Sequence, residues 1–160
     1  SDLSIITQNI DNLHQQAGSR NVYEFHGNSR NLVCQKCDVK YPAEEKVLKS
    51  IPPRCEACGH VLKPDFIFFF FFFPQEAYDK SVEEATHGEV FILVGTTGEV
   101  MPASFIPRMA KDHGLKIIEI NPNESYFTHS ITDIFIQGKA TEAMGQLMEE
   151  IRKMPEITKK

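Results

Sequence analysis

A chain of 160 residues with 41% apolar and 24% charged residues has material for one ordinary domain plus a small insert, and the balance of a folded globular protein. Its net charge of −5 lacks the clustered Lys and Arg that displace counterions from nucleic acid, so no direct nucleic-acid partner is expected. The longest apolar run, residues 66–73, falls far short of the roughly 20 residues that span a bilayer, and no basic-then-apolar leader opens the chain, so no membrane partner is expected either.

Residues 3–7 form a short apolar segment that reads as a buried strand. Ile10, Leu13 and Ala17 recur at helical spacing before Gly18, which predicts a helix of one or two turns. Val22, Tyr23, Glu24 and Phe25 predict a second strand that ends at His26-Gly27. From residue 30 to 64 the character changes to two Cys-x-x-Cys pairs, Pro52-Pro53 and mixed charge, the mark of an insert. Pro74 suits the first position of a helix whose apolar face is Ala77, Tyr78, Val82 and Ala85, with Gly88 at its end. A continuous apolar strand follows at 90–94, then Gly95-Thr-Thr-Gly98 and a helix over about 103–113. Strands at 116–120 and 131–136 and a last helix carrying Ala140, Met144, Leu147, Met148 and Ile151 complete the pattern. Short apolar strands alternating with helices predict an α/β fold with a parallel, Rossmann-like sheet. Ligands of such sheets sit at the carboxyl ends of the strands, which predicts one rim made by 7–11, 95–98 and 121–124.

Cys34, Cys37, Cys55 and Cys58 leave no cysteine over. Two Cys-x-x-Cys pairs at this separation have zinc-ribbon spacing, and four thiolates close a tetrahedral sphere with no position for water, so the expected metal is one structural zinc ion. Thiolates used this way belong to a reducing compartment, cytoplasmic or nuclear. The nearly balanced charge of residues 30–64, without aromatic residues laddered among the basic ones, argues against a nucleic-acid ribbon.

The segment Thr7-Gln-Asn-Ile-Asp-Asn-Leu-His14, then Ala17-Gly18 and Glu24-Phe-His-Gly27, resembles the signature of the sirtuins. Further family motifs follow in order: the two Cys pairs, Lys63-Pro-Asp65, Val94-Gly-Thr-Thr97 with Val100 and Pro102-Ala103, and Ile120-Asn121. The resemblance covers almost the whole chain. It implies an NAD-dependent protein-lysine deacylase that takes an acyl-lysine protein or peptide and gives nicotinamide, free lysine and O-acyl-ADP-ribose. In that chemistry the acyl oxygen attacks C1′ of the nicotinamide ribose, and His26 is the general base for the ribose hydroxyls, a task suited to an imidazole titrating near neutrality. By the same resemblance Gln8, Asn9 and Asp11 line the nicotinamide and its ribose, and Gly95, Thr96 and Thr97 approach the adenosine side. Asn121 and Glu124 meet the adenosine ribose, and Lys139 and Ala140 lie near the adenine. Phe69, Phe70 and Phe71 with Gly98, Glu99 and Val100 flank the acyl-lysine peptide, which would dock as an added strand.

Two departures from the family pattern stand out. No Gly-rich pyrophosphate loop precedes Ser1, so the parallel sheet is expected to be incomplete at its N-terminal side, with apolar strand faces uncovered and weak activity from this chain alone. Phe68 to Phe73 replace the family's Phe-Gly-Glu segment. Three of six rings would face solvent in a strand, ~450 Å² of aromatic surface, comparable to the largest patch a monomer tolerates. A hydrophobic acyl groove, a disabling change and an error in the recorded sequence are the three readings of that run, and the exposed area weighs against the first. The domains expected are residues 1–29 with 65–160 for NAD and 30–64 for zinc. The rival function is a non-catalytic zinc-binding module for protein interaction.

Overall fold

The computed structural model describes residues 3–44, 47, 50–66 and 74–154. Phe69, Phe70 and Phe71 lie outside the described residues. The chain divides into two compact units, residues 1–81 and 82–160.

In the first unit, β1 (Ser4–Thr7) pairs in parallel with β2 (Asn21–Glu24), Thr7 opposite Glu24. Between them lies α1 (Leu13–Gln16), a single turn, the short end of the expected length. Its N-cap, Asn12, is left-handed (φ 65°), a conformation Asn tolerates better than most residues. Within β1 only Thr7 is buried, Ser4, Ile5 and Ile6 being half-buried, and Leu3 before it is exposed. A second sheet is antiparallel in the order β4-β3-β5: β3 is Gly27–Cys34, β4 Lys40–Pro42 and β5 Leu62–Phe66. Its core is Leu32, Cys34, Cys55 and Leu62, with Tyr41, Ala43 and Val47 packed against them. Gly27 opens β3 with φ 71°, and a Cβ there would run into the carbonyl oxygen of Asp65 on β5, so glycine is required for the close approach. Next to it Phe25 is fully buried, its ring edge-on to Tyr78 at 6.3 Å. Tyr78 belongs to α2 (Gln75–His87), which begins directly after Pro74 as the proline signal required.

In the second unit, β6 (Val90–Val94), β7 (Lys116–Asn121) and β8 (Ile134–Gln137) form a parallel sheet in that order. Its helices α3 (Phe105–Asp112) and α4 (Ala140–Lys153) both pack on β7. Leu93, Ile106, Ala110, Ile117, Ile120 and Phe127 fill the core. Asp133 fixes the start of β7. Its Oδ2 accepts the Ile117 N–H at 2.8 Å, and Lys111 and Lys116 reach its Oδ1 at 2.7 and 3.4 Å. The Ile117 N–H first, and Lys111 after it, hold this carboxyl down at about 2.

The continuous apolar run of β6 predicts a strand covered on both faces. Only one face is covered: Leu93 points inward, while Val90, Ile92 and Val94 are 53%, 37% and 43% exposed. Alternation sends these three to the same side of an edge strand, where no second layer meets them among the described residues. No helix among the described residues is long and apolar enough to cross a membrane.

Candidate functional site

The four cysteines sit on two turns of the same construction. In one, Cys34 N–H bonds to Val39 O at 3.0 Å and Asp38 N–H to Cys34 O at 3.0 Å. In the other, Cys55 N–H bonds to His60 O at 2.8 Å and Gly59 N–H to Cys55 O at 2.8 Å. Asp38 (φ 57°) and Gly59 (φ 70°) occupy the matching left-handed positions. This folds each Cys-x-x-Cys so that all four Sγ atoms lie within 4.8 Å of one another.

Three of the sulfur separations are 3.4, 3.5 and 3.6 Å. A tetrahedral zinc with Zn–S bonds of about 2.3 Å has S···S edges of about 3.8 Å, whereas a disulfide closes to about 2.0 Å, so the cluster fits a metal. Backbone amides are already aimed at the sulfurs. Burial raises Cys34, but the N–H groups of Lys36 and Cys37 bring it below its ordinary value. Cys55 is drawn down to about 6, first by the Tyr41 hydroxyl and then, against desolvation, by the N–H groups of Cys58 and Ala57. Cys37 has the Val39 N–H against it, yet the neighbouring sulfurs and burial push it up to about 12. Four sulfurs this close, with backbone N–H groups aimed at them, make a group that binding a dication would favour as thiolates. His60 is exposed, as expected of a residue that four cysteines make redundant.

His26 is half-buried in the turn between β2 and β3. Bonds on either side of it bind this hairpin to the loop after β1: Phe25 N–H to Thr7 O at 2.9 Å, and Ser29 Oγ to Ile10 O at 2.7 Å. The segments 25–29 and 7–10 therefore run side by side. They bring His26 together with Gln8, Asn9 and Asp11, of which Asn9 and Asp11 are exposed and Gln8 half-buried. Asp11 also forms an Asx turn ahead of α1, its Oδ1 accepting the Leu13 N–H at 3.0 Å.

In the second unit the carboxyl ends of β6, β7 and β8 carry Gly95, Thr96 and Thr97, then Asn121 and Glu124, then Lys139 and Ala140. These loops are joined by backbone groups. Gly95 N–H bonds to Ile120 O at 3.1 Å, Tyr126 N–H to Thr97 O at 3.0 Å, and Gly138 N–H to Asn121 O at 3.0 Å. Asn121 is 8% exposed, and its Nδ2 donates to Thr96 O at 2.7 Å, so its amide holds the neighbouring loop. Glu124 is exposed and pairs with His129 at 3.1 Å. A shallow pocket of about 280 Å³ opens here, lined by Thr97, Glu99, Glu124, Ser125 and Tyr126. Gly98 has φ 80°, and a Cβ on it would stand 2.8 Å from the Phe127 ring. Val100 accepts the Ser104 N–H at 3.0 Å just ahead of α3.

Beneath this rim lies a group absent from the sequence reading. Glu119 is fully buried in β7. Its Oε1 accepts from Ser125 Oγ at 2.5 Å and Asn121 Nδ2 at 3.3 Å, and its Oε2 from Thr128 and Thr132 hydroxyls at 3.0 and 2.8 Å. Burial opposes ionisation, but these four donors hold the carboxyl below its ordinary value. The signal available in the sequence was a lone Glu inside the apolar run Lys116-Ile-Ile-Glu-Ile120, since such residues are almost never fully buried without partners.

The Sir2 family model matches residues 1–102 of this chain. The chain belongs to the Sir2 family. Among its Sir2 relatives, an NAD-dependent protein deacylase 2 of Pyrobaculum aerophilum is 45% identical over 149 residues, 93% of this chain and 59% of the relative. An NAD-dependent protein deacylase of Pyrococcus abyssi is 40% identical over 156 residues, 94% of this chain and 62% of the relative. The chain thus spans less than two thirds of the length of these relatives. Among solved structures, a Sir2 protein bound to acetylated peptide superposes with a TM-score of 0.87 at 32% identity, covering 95% of this chain and 65% of the other. A complex of a Sir2 homologue with NAD gives 0.86 at 38% identity, covering 94% and 59%. These likenesses assign the Rossmann-like α/β fold.

Proposed function

We propose that the protein is an NAD-dependent protein-lysine deacylase, and that this chain supplies its general base, residues for the nicotinamide and for the adenosine of NAD, and its zinc module. The observation that carries the reading is the placement of His26 alongside Gln8, Asn9 and Asp11 on two segments stitched together by hydrogen bonds, within a chain of the Sir2 family. The residues present suit NAD. Gly95 and Gly138 have no heavy atom within 4 Å of where a Cβ would stand, which leaves open space at two strand ends. Beside it lie hydroxyl donors and an exposed carboxylate able to accept from ribose hydroxyls.

NAD, when bound, supplies the ribose carbon that loses nicotinamide and takes up the acyl group. His26 serves as the base that removes a ribose hydroxyl proton. Gln8, Asn9 and Asp11 orient the nicotinamide side; Gly95, Thr96, Thr97, Asn121, Glu124, Lys139 and Ala140 orient the adenosine side. Gly98, Glu99 and Val100 border the acyl-lysine peptide. Residues 1–29 with 65–160 form the NAD-binding part and 30–64 the zinc module, which has no open coordination position and takes no part in the chemistry. Four cysteines given to a metal rather than to disulfides suit a reducing compartment, the cytoplasm or nucleus.

The test is nicotinamide release by the complete protein with NAD and an acetyl-lysine peptide. Release is expected only when both are present, and His26→Ala should lower it at least ~100-fold, the usual worth of a general base. If the peptide makes no difference, or His26→Ala is as active as the parent, the deacylase reading falls; if the complete protein releases no nicotinamide at all, a non-catalytic zinc module takes its place.

A further inference from the structure

The loop from Gln8 to Asn12 follows β1 and precedes α1, so neither ladder fixes it. It is held from β3. Ser29 reaches Ile10 O through both N–H (3.2 Å) and Oγ (2.7 Å), and Arg30 reaches Asn12 Oδ1 through NH1 at 2.7 Å. The same guanidinium places NH2 2.6 Å from Glu24 Oε2. Glu24, at the end of β2, has only 13% of its side chain exposed. Besides Arg30 it accepts from Gln15 Nε2 of α1 at 2.7 Å and Asn28 Nδ2 of β3 at 3.1 Å. Asn28 in turn accepts the Arg30 N–H at 3.1 Å. One carboxylate and one guanidinium thus join β2, β3, α1 and the left-handed residue at which the loop enters α1. None of these contacts involves the general base, although His26 lies between Glu24 and Arg30 in the chain.

We propose that Glu24 and Arg30 are positioning residues: a clamp that sets the Gln8, Asn9 and Asp11 loop against the His26 hairpin, and through it the grip on NAD. The proposal rests on the deacylase reading for its consequence and on the hydrogen bonds alone for the clamp. A guanidinium is needed because its planar fork serves two acceptors at once, Asn12 on one side and Glu24 on the other. A lysine at 30 keeps the charge and reaches one acceptor at a time. Glu24 is largely drawn from water while the Arg30 side chain stays 37% exposed, so the hold comes from the shared set of donors and acceptors more than from the charge pair itself.

The experiment compares Arg30→Lys, Arg30→Met and Asn12→Gly with the parent by two measurements. Amide exchange is followed on this chain. NAD kinetics are followed on the complete protein. Exchange at residues 9–13 should rise about tenfold in both Arg30 variants, with the rest of residues 3–81 unchanged, since only local opening is altered. KM for NAD should rise about tenfold with kcat and the peptide KM within about twofold, because a misplaced loop weakens orientation of one substrate. Millimolar guanidinium should restore part of the loss in an Arg30→Ala variant, which a general loss of packing would not allow.

Unchanged exchange at 9–13 in a folded variant overturns the clamp, as does a rise spread over the whole unit. A changed loop with an unchanged KM for NAD overturns its link to the cofactor. Should Arg30→Met fail to fold, Asn12→Gly decides. It keeps the left-handed backbone while deleting the Oδ1 contact, and exchange at 9–13 equal to the parent's refutes the proposal. If the parent itself shows no NAD-dependent deacylation, the functional reading has failed, and exchange still judges the clamp by itself.

Discussion

Replacing Glu119 with alanine tests whether the rim of the second unit is held from below by one carboxylate. Glu119 is fully buried and accepts four side-chain hydrogen bonds, from Ser125, Asn121, Thr128 and Thr132. Alanine leaves these donors without their acceptor. Three of them are half-buried and can recruit water, so a loss of about 1 kcal/mol each is reasonable, and about 4 kcal/mol in all, within the range seen on breaking buried charge networks. Glu119→Gln keeps the shape and one carbonyl acceptor, and should cost about 1–2 kcal/mol.

The assay is urea unfolding followed by circular dichroism, since the chain contains no Trp. With a slope of about 2 kcal/mol per molar, Glu119→Ala should lower the midpoint by about 2 M. The exposed Glu149→Ala should stay within about 0.5 kcal/mol of the parent. The pH dependence supplies a second reading. The folded carboxyl of Glu119 titrates below its ordinary value of 4.5. Its stabilisation is therefore complete above that pH and fades as pH falls through the folded value. In Glu119→Gln this fading disappears and the acid limb flattens. A midpoint for Glu119→Ala indistinguishable from the Glu149 control would refute the reasoning, because a carboxylate with four real donors cannot be removed at surface cost.

Gly27→Ala should impair folding more than Gly98→Ala. The first drives a Cβ into the Asp65 carbonyl while the second meets the Phe127 ring, which can tilt, and expression of folded chain with the thermal midpoint ranks them. Zinc analysis should find one ion per chain, and Tyr41→Phe should weaken zinc about tenfold in competition with a chromophoric chelator. The hydroxyl stands 3.3 Å from Cys55 Sγ, and such outer contacts carry that order of affinity. Equal affinity in Tyr41→Phe would show the contact to be idle. Asp133→Asn should remove stability at neutral pH and leave little difference below pH 2. Its folded carboxyl is held at about 2 against an ordinary 3.8, so the advantage is present above the ordinary value and lost on descending to the folded one. Acid titrations of both proteins read this directly.

Features set by local chemistry were legible in the sequence. The Cys-x-x-Cys pairs announced their tetrahedral cluster, and Gly59 announced its turn, because a left-handed residue there prefers no Cβ. Asp38 occupies the equivalent position in the other turn and gave no such warning, since Asp serves many roles in loops. Pro74 and Gly88 bracketed α2 for the same local reasons. What escaped was decided by partners distant in the chain. The exposure of Val90, Ile92 and Val94 depends on which layers exist beside β6, and an apolar pentapeptide reads the same covered or bare. Glu119 and its four donors are spread over residues 119–132, and no spacing rule ties them together.

Glu24, which the motif carried without a role, and Glu119, which no motif marked, answer one physical problem. A loop that leaves the carboxyl end of a parallel strand has no ladder of its own, yet here such loops carry the residues assigned to the cofactor. Backbone bonds alone fix the loop ends, as Phe25 does for Thr7 and Tyr126 for Thr97. A carboxylate accepts from several directions at once, so Glu24 gathers donors from α1 and β3, and Glu119 gathers Ser125, Thr128 and Thr132. An apolar residue at either place could pack as well and stabilise as much, but it would leave the loops free to slide. The expected signature of such residues is therefore a split: an apolar substitution of matched volume, Glu119→Leu, should cost less stability than Glu119→Ala yet allow faster amide exchange across 122–132 than in the parent. Exchange in Glu119→Leu as slow as in the parent would show that packing alone holds the rim, and that the carboxylate is there for another reason.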